Sequence, residues 1–160
     1  YFWYKGRSVG SVYVGEIEYT LLDRTGNTVR GVTKLTNHSG ATVYTYDEAP
    51  VVAVTPNGRI GVLWYQYLYR TSDSHWNYNI FFAILDAAGN LVYGPLNLTN
   101  NSVWGNPSSA PNVPLFGNPV IAATGDSRFV LAWQKQERTA GCSSATRSSS
   151  GASRSSPSRT

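Results

Sequence analysis

Hydrophobic and polar positions alternate with a period of two along most of the chain, and no stretch shows a sustained helical period. Residues 16–21 read EIEYTL and residues 79–84 read NIFFAI, which places successive side chains on opposite faces of a strand. Residues 50–55 and 59–67 are rich in β-branched and aromatic residues, which packed strands favour. The pattern therefore predicts an all-β chain.

The strand pattern repeats within the chain. Residues 16–37 (EIEYTLLDRTGNTVRGVTKLTN) align with residues 79–100 (NIFFAILDAAGNLVYGPLNLTN) at an offset of 63. Residues 50–64 (PVVAVTPNGRIGVLW) align with residues 119–133 (PVIAATGDSRFVLAW) at an offset of 69. Repeated strand blocks at this spacing predict the blades of a β-propeller.

One repeat unit is predicted to be a four-stranded antiparallel meander, with strands A, B, C and D at 50–55, 59–67, 79–86 and 90–98. The chain then holds about two and a half blades. Residues 1–36 form a partial blade with the end of strand B and strands C and D, residues 50–100 a complete blade, and residues 119–134 strands A and B of a third. A closed propeller has about 4 to 8 blades, so we expect an incomplete ring. The chain starts at Tyr1 and contains no Met, which is typical of a fragment or a processed piece.

Turn residues recur at equivalent positions of the repeat. Asp-x-x-Gly-Asn occurs at 23–27 and 86–90, where Asp bonds backbone amides and Gly supplies a positive φ. The residues 55–58 (TPNG) predict a further tight turn. The residues assigned to structural turns are Asp23, Gly26, Asn27, Gly58, Asp86, Gly89 and Asn90.

Tryptophan also recurs at one strand position. Trp3, Trp64 and Trp133 are equivalent in the repeat, and we expect them to pack between blades. Trp76 and Trp104 occur outside the repeated blocks. This favours loop-specific roles for them, either holding their own loops or forming a ligand platform.

The repeated Asp23-x-x-Gly26-Asn27 and Asp86-x-x-Gly89-Asn90 boxes resemble those of Asp-box β-propellers, which include bacterial sialidases and many secreted repeat proteins. The resemblance covers residues 1–134 and is architectural. It is strongest to uncharacterised secreted bacterial propeller repeats with LDxxGN…LTN and PxVAxTPxGRxGVxW blocks. The resemblance implies a propeller and a secreted or cell-surface location. It implies no activity, because these boxes are structural turns.

Composition narrows the range of partners. Charged residues make up 14% of the chain and aromatic residues 13%, which excludes a disordered solvating chain or a coiled coil as the whole. The net charge of +4 comes from four arginines after Glu137, since residues 1–137 carry 13 − 4 = 9 bases against 9 acids. Residues 1–137 are therefore neutral and give no argument for nucleic-acid binding.

Other classes of site are also not predicted. No apolar run approaches the length of a membrane span, so no transmembrane segment is predicted. One Cys and two His argue against a metal site, and no metal or cofactor is predicted.

The basic tail at 138–160 is rich in Ser and Arg and contains no aromatic residue. The repeat requires a third strand C and its Asp near 153–155, and neither occurs. A flexible linker and a frameshift artefact both explain this composition. The frameshift is favoured, because the repeat stops after strand B and leaves unpaired strand edges.

The predicted meander separates two kinds of connection. The A–B and C–D connections are tight turns on one face, whereas the D–A and B–C connections, at 37–49, 67–78 and 101–118, are long and share the other face. Long loops on a rigid scaffold often bind ligands, and Tyr and Trp suit sugar rings or protein partners. The predicted binding residues are Tyr46, Asp47, Arg70, Asp73, His75, Trp76 and Trp104.

Two pairs of residues are candidates for catalysis. Asp47 and Glu48 are a carboxylate pair of the kind glycosidases use, but adjacent strand residues point to opposite faces. His75 beside Asp73 is a candidate acid–base couple, although a surface histidine is the favoured interpretation. No nucleophile elbow, phosphate loop or metal-ligand spacing occurs, so no catalytic residue is assigned.

Three functions remain open at this point. The favoured one is a non-catalytic secreted or cell-surface module that binds glycan or protein through an aromatic face. A fragment of a sialidase-like glycan-processing enzyme is the first alternative. The second is a structural repeat protein that associates with copies of itself through incomplete propeller edges.

Overall fold

The computed structural model describes residues 1–107 and 113–137, and the tail predicted at 138–160 lies outside them. The described residues form nine strands and no helix, which confirms the all-β class. No helix that could cross a membrane occurs among them. The strands are β1 (Phe2–Val9), β2 (Val12–Leu22), β3 (Thr28–Lys34), β4 (Tyr44–Val54), β5 (Ile60–Arg70), β6 (His75–Leu85), β7 (Leu91–Asn97), β8 (Leu115–Ala123) and β9 (Phe129–Gln136).

Strands β1 to β7 form one sheet, and β8 and β9 form a second. Strands β4, β5, β6 and β7 are consecutive antiparallel neighbours, and β2 pairs antiparallel with both β1 and β3. Strand β2 also pairs in parallel with β4, through Val14 with Thr45 and Gly15 with Tyr46. The repeat predicted separate four-stranded blades, but this parallel pairing joins the first two units into a continuous seven-stranded sheet.

The strands of the second unit are longer at one end than the sequence predicted. Pairing between β5 and β6 runs without interruption from Ile60 with Leu85 to Arg70 with His75. The connection predicted at 67–78 is therefore a short turn at 71–74, where Ser74 has a φ of 57°. Aromatic cross-strand pairs in this region stabilise the extended pairing.

The core consists of two apolar layers, one on each face of the central strands β5 and β6. On one face, Trp64 lies in a buried cluster with Ile17 of β2. On the other face, Leu63 and Ile80 pack with residues of the second sheet, including Phe129. Because alternate strand residues point to opposite faces, the neighbours Leu63 and Trp64 belong to different layers.

The three repeated tryptophans differ in burial. Trp64 is 1% exposed, and its ring centroid lies 5.8 Å from that of Phe81. Trp3 is half-buried, and Trp133 is 37% exposed. Of these three tryptophans, all of which lie in the described residues, only Trp64 is fully buried.

The two Asp-x-x-Gly-Asn turns share one geometry. One carboxylate oxygen of Asp23, and likewise of Asp86, accepts hydrogen bonds from the amides two and four residues later at 2.8–2.9 Å. Gly26 and Gly89 have φ values of 88° and 83°, a region that favours glycine. Hydrogen bonds, led by that from the Thr25 hydroxyl, lower the pKa of Asp23 to about 2.

The repeated Leu-Thr-Asn block has a structural role at the ends of β3 and β7. The Thr36 hydroxyl accepts a hydrogen bond from the amide of Ile17 at 3.0 Å. Thr99 accepts the same bond from Ile80, also at 3.0 Å. These hydrogen bonds hold the segment after β3 against β2 and the segment after β7 against β6.

Candidate functional site

Aromatic side chains gather near the end of the sheet that carries the β1–β2 and β5–β6 turns. Ring contacts link Tyr13 to Tyr46, Tyr46 to Tyr67, and Tyr67 to Trp76. Period-two alternation along the strands brings these side chains to one surface. We define the aromatic surface as Tyr4, Tyr13, Tyr44, Tyr46, Glu48, Tyr65, Tyr67, Tyr69, Trp76 and Tyr78, contributed by β1, β2, β4, β5 and β6.

Two tyrosine rings lie over glycines of the neighbouring strand. A Cβ atom at Gly15 would lie 2.0 Å from Cε2 of Tyr4, and one at Gly6 would lie 1.8 Å from the hydroxyl oxygen of Tyr13. The rings thus occupy the space that other side chains would fill. Tyr4 is 39% and Tyr13 38% exposed, so each side chain is supported by backbone on one side and open on the other.

The remaining rings form close aromatic pairs between strands, both stacked and tilted. The centroids of Tyr46 and Tyr67 lie 4.6 Å apart with an interplanar angle of 19°, and those of Tyr69 and Trp76 lie 4.4 Å apart at 31°. Both are close aromatic contacts, the first pair stacked and the second tilted. The ring centroids of Tyr13 and Tyr46 lie 6.0 Å apart. The paired rings therefore continue the aromatic surface beside the two exposed tyrosines, Tyr4 and Tyr13.

Glu48 lies among the tyrosines of this surface. Its two carboxylate oxygens accept hydrogen bonds from the hydroxyls of Tyr65 and Tyr67, both at 2.9 Å. The side chain is half-buried. Within residues 1–107 and 113–137, no Lys, Arg or His forms an ion pair with Glu48.

The phenols around Glu48 are held in their neutral form. Burial raises the pKa of Tyr65 to about 12, and the hydrogen bond to Glu48 acts in the same direction. The same two causes raise the pKa of Tyr67. Burial also raises the pKa of Tyr4 to about 12, with contributions from Tyr13 and Glu48. At physiological pH these groups are hydrogen-bond donors and not phenolate nucleophiles.

Asp47 is separate from this surface. It is 0% exposed, and its carboxylate lies 2.6 Å from Nε2 of His38 and accepts a hydrogen bond from the Gln66 amide at 2.9 Å. The adjacent Glu48 points to the other face and bonds tyrosines there. The two carboxylates therefore do not face each other, and each is bound by different side chains.

Four predicted residues meet at the β5–β6 turn. Nε of Arg70 lies 3.0 Å from both carboxylate oxygens of Asp73, and Nδ1 of His75 lies 3.1 Å from one of them. The Arg70 guanidinium lies 4.7 Å from the ring centroid of Trp104. The hydrogen bond from Arg70 is the main cause that lowers the pKa of Asp73. Because Arg70 follows Tyr69 in a strand, this cluster lies on the opposite face from the aromatic surface.

The predicted binding residues thus divide into three places. Tyr46 and Trp76 belong to the aromatic surface, Asp47 is buried, and the other four form the turn cluster. Tyr46, Asp47, Arg70, His75 and Trp76 lie in strands, although loops were expected there. The strands extend further because their cross-strand aromatic pairs continue.

Tyr4 and Tyr13 were not among the predicted binding residues. A usable signal was present, since Tyr-x-Gly occurs at 4–6 and again at 13–15 on strands that form a hairpin. A glycine two positions from a tyrosine on both strands leaves room for each ring to cross to the neighbouring strand. Glu48 was also not among the predicted binding residues, and the tyrosines that bind it lie in β5.

Within the described part of the chain, no three or more His, Cys, Asp and Glu side chains are grouped closely enough to hold a metal ion. Comparison with protein-family models, with curated proteins and with solved structures finds no match to this chain.

Proposed function

We propose that this chain is a non-catalytic glycan-binding module of a secreted or cell-surface protein, and that the aromatic surface is its binding site. The observation that carries the proposal is the pair Tyr4 and Tyr13, each supported by a glycine and open to solvent. Tyrosine offers a large stiff area with a polar tip, which suits the apolar face and the hydroxyls of a pyranose ring. The rings stand on paired strands, so binding requires little further ordering of the protein.

The proposed architecture is part of a β-propeller. Strands β4 to β7 form the antiparallel meander that the repeat predicts for one blade. Buried clusters lie on both faces of these strands, as they do when blades stack. The repeated turns and the repeated Leu-Thr-Asn contacts support units of equivalent structure.

The contacts of the arginines support binding over a sialidase-like reaction. Sialidase chemistry needs an arginine cluster for the substrate carboxylate, but Arg7, Arg70 and Arg128 are each paired with an acid. Arg30 donates to the second Asp-x-x-Gly-Asn turn.

Isothermal titration with cellohexaose, laminarihexaose and N-acetylchitohexaose tests the proposed function. We expect at least one of these to bind, and Tyr4→Ala and Tyr13→Ala each to weaken that binding about tenfold, equivalent to about 1.4 kcal/mol. Tyr93→Ala is the matched control, because Tyr93 is 50% exposed and lies on β7, away from the aromatic surface. Absence of binding to all three, or an equal loss in the control, contradicts the proposal.

A second candidate function is self-association. The outer face of the β8–β9 sheet carries Val120 and Val130, which are 59% and 57% exposed. In the repeat, Val120 is the counterpart of Val51, which packs against a core cluster. Light scattering at micromolar concentration separates the possibilities, because self-association predicts a mass above that of one chain and a monomer contradicts it.

A further inference from the structure

The aromatic surface holds a carboxylate that has no positive partner among the described residues. Asp47 lies beside His38, Asp73 beside Arg70, and Glu16 beside both Arg7 and Lys34. Within the described part of the chain, Glu48 in contrast receives only neutral phenol donors. A half-buried carboxylate loses hydration, and neutral donors compensate its charge less than a cation does.

The surroundings of Glu48 favour positive charge. The faces of aromatic rings carry negative potential and attract cations, and Tyr46, Tyr65 and Tyr67 stack beside this carboxylate. The charge of Glu48 also contributes to the raised pKa values of Tyr4 and Tyr46, after burial and neighbouring tyrosines. A ligand with a positive group therefore gains both an ionic contact and contacts with the rings.

We propose, building on the glycan-binding function above, that Glu48 and the tyrosines around it bind the protonated amine of an amino sugar. The preferred ligand is then an oligosaccharide with free amines, such as oligoglucosamine. The sugar ring covers Tyr4 or Tyr13 while the ammonium binds the Glu48 carboxylate. An N-acetylated sugar has no such charge and keeps only the ring contacts.

A lysine-containing peptide offers the same ammonium but fits the surface less well. The open sides of Tyr4 and Tyr13 provide area for a flat, hydroxyl-bearing ring, which a lysine side chain does not have. The peptide would use Glu48 and leave these two rings uncovered. The structure therefore favours an amino sugar. The test includes titration with hexalysine as the competing peptide ligand.

The test compares hexaglucosamine with N-acetylchitohexaose by isothermal titration at pH 6 and low salt. We expect the wild-type chain to bind hexaglucosamine about tenfold more tightly. Glu48→Gln should reduce this preference to less than about twofold, because it weakens the binding of hexaglucosamine more than the binding of N-acetylchitohexaose. Glu137→Gln is the charge-matched control, because this exposed carboxylate pairs with Lys135, and it should keep the full preference.

The outcomes separate this inference from the proposed function. If neither hexamer nor any neutral oligosaccharide binds, the glycan-binding function itself is wrong. If both hexamers bind equally, or if Glu48→Gln keeps the preference, the function stands and the amine site is wrong. Tighter binding of hexalysine than of hexaglucosamine overturns the assignment to an amino sugar.

A second measurement avoids dependence on one variant. If Glu48→Gln does not fold, as judged by circular dichroism, the salt dependence of wild-type binding decides. An ionic contact is screened, so the preference for hexaglucosamine should decrease as NaCl rises from about 0.02 M to 0.5 M. A preference that does not change with salt overturns the proposal.

Discussion

Replacing Glu16 with glutamine tests how one buried carboxylate stabilises the layer formed by β1, β2 and β3. Glu16 is 1% exposed and accepts hydrogen bonds from Arg7 at 2.7 and 2.9 Å and from Lys34 at 2.6 Å. It also accepts the amide hydrogen bond of His38 at 2.8 Å. One side chain thus joins β1, β3 and the connection that leads to β4.

The magnitude follows from the pKa of Glu16. Hydrogen bonds, led by that from Arg7, lower this pKa from 4.5 to about 2. Because the folded-state pKa lies below the unfolded value, the stabilisation is fully present above pH 4.5, where it amounts to about 3 kcal/mol. Arg7 and Lys34 are 33% and 43% exposed, so solvent screening reduces our expectation to about 2 kcal/mol. This stability is lost as the pH falls from about 4.5 towards about 2.

Urea denaturation of both proteins at pH 7 and pH 3 measures this effect. We expect Glu16→Gln to be about 2 kcal/mol less stable than the wild type at pH 7. At pH 3 the difference should fall by more than half, because the unfolded wild-type chain takes up a proton that the folded chain does not. Glu137→Gln removes an exposed carboxylate and should change stability by less than about 1 kcal/mol at either pH. An equal difference at pH 7 and pH 3 would refute the reasoning.

The remaining predictions concern the aromatic surface and one turn. Gly15→Ala should displace the Tyr4 ring and weaken oligosaccharide binding about tenfold in isothermal titration. Gly31→Ala, which has open space around its Cβ position, should leave binding unchanged, and an equal loss would contradict this role for glycine. Ser127 has a φ of 63°, so Ser127→Gly should raise the free energy of unfolding by about 0.5–1 kcal/mol in urea denaturation, and lower stability would argue against strain. Tyr65 should ionise only near pH 12, and the difference in ultraviolet titration between wild type and Tyr65→Phe checks this value.

The local features of the fold could be predicted because their stabilising contacts lie within a few residues. Asp23 and Asp86 bind amides two and four residues later, so their turns depend on a short segment. Strand type also followed from alternation, since burial of one face imposes a period of two. The propeller blades and their number stay a proposal.

The ends of the strands and the pairing of β2 with β4 could not be predicted from the sequence. Polar and aromatic residues between 67 and 78 are typical of a loop, but Tyr69 and Trp76 are cross-strand partners whose ring centroids lie 4.4 Å apart. The pairing of Gly15 with Tyr46 links segments that share no pattern in the sequence. Such contacts depend on strand register, which only the folded chain defines.

The sequence by itself determined the all-β class, the repeated turns and the neutrality of the body that carries the aromatic residues. The tertiary structure alone decided which of those residues form the aromatic surface. It placed His38 beside the buried Asp47, and it brought Tyr65 and Tyr67 to the Glu48 carboxylate. The physical reason is that a turn is stabilised by neighbours along the chain, whereas a binding surface is built from side chains that meet only when separate strands pair in one register.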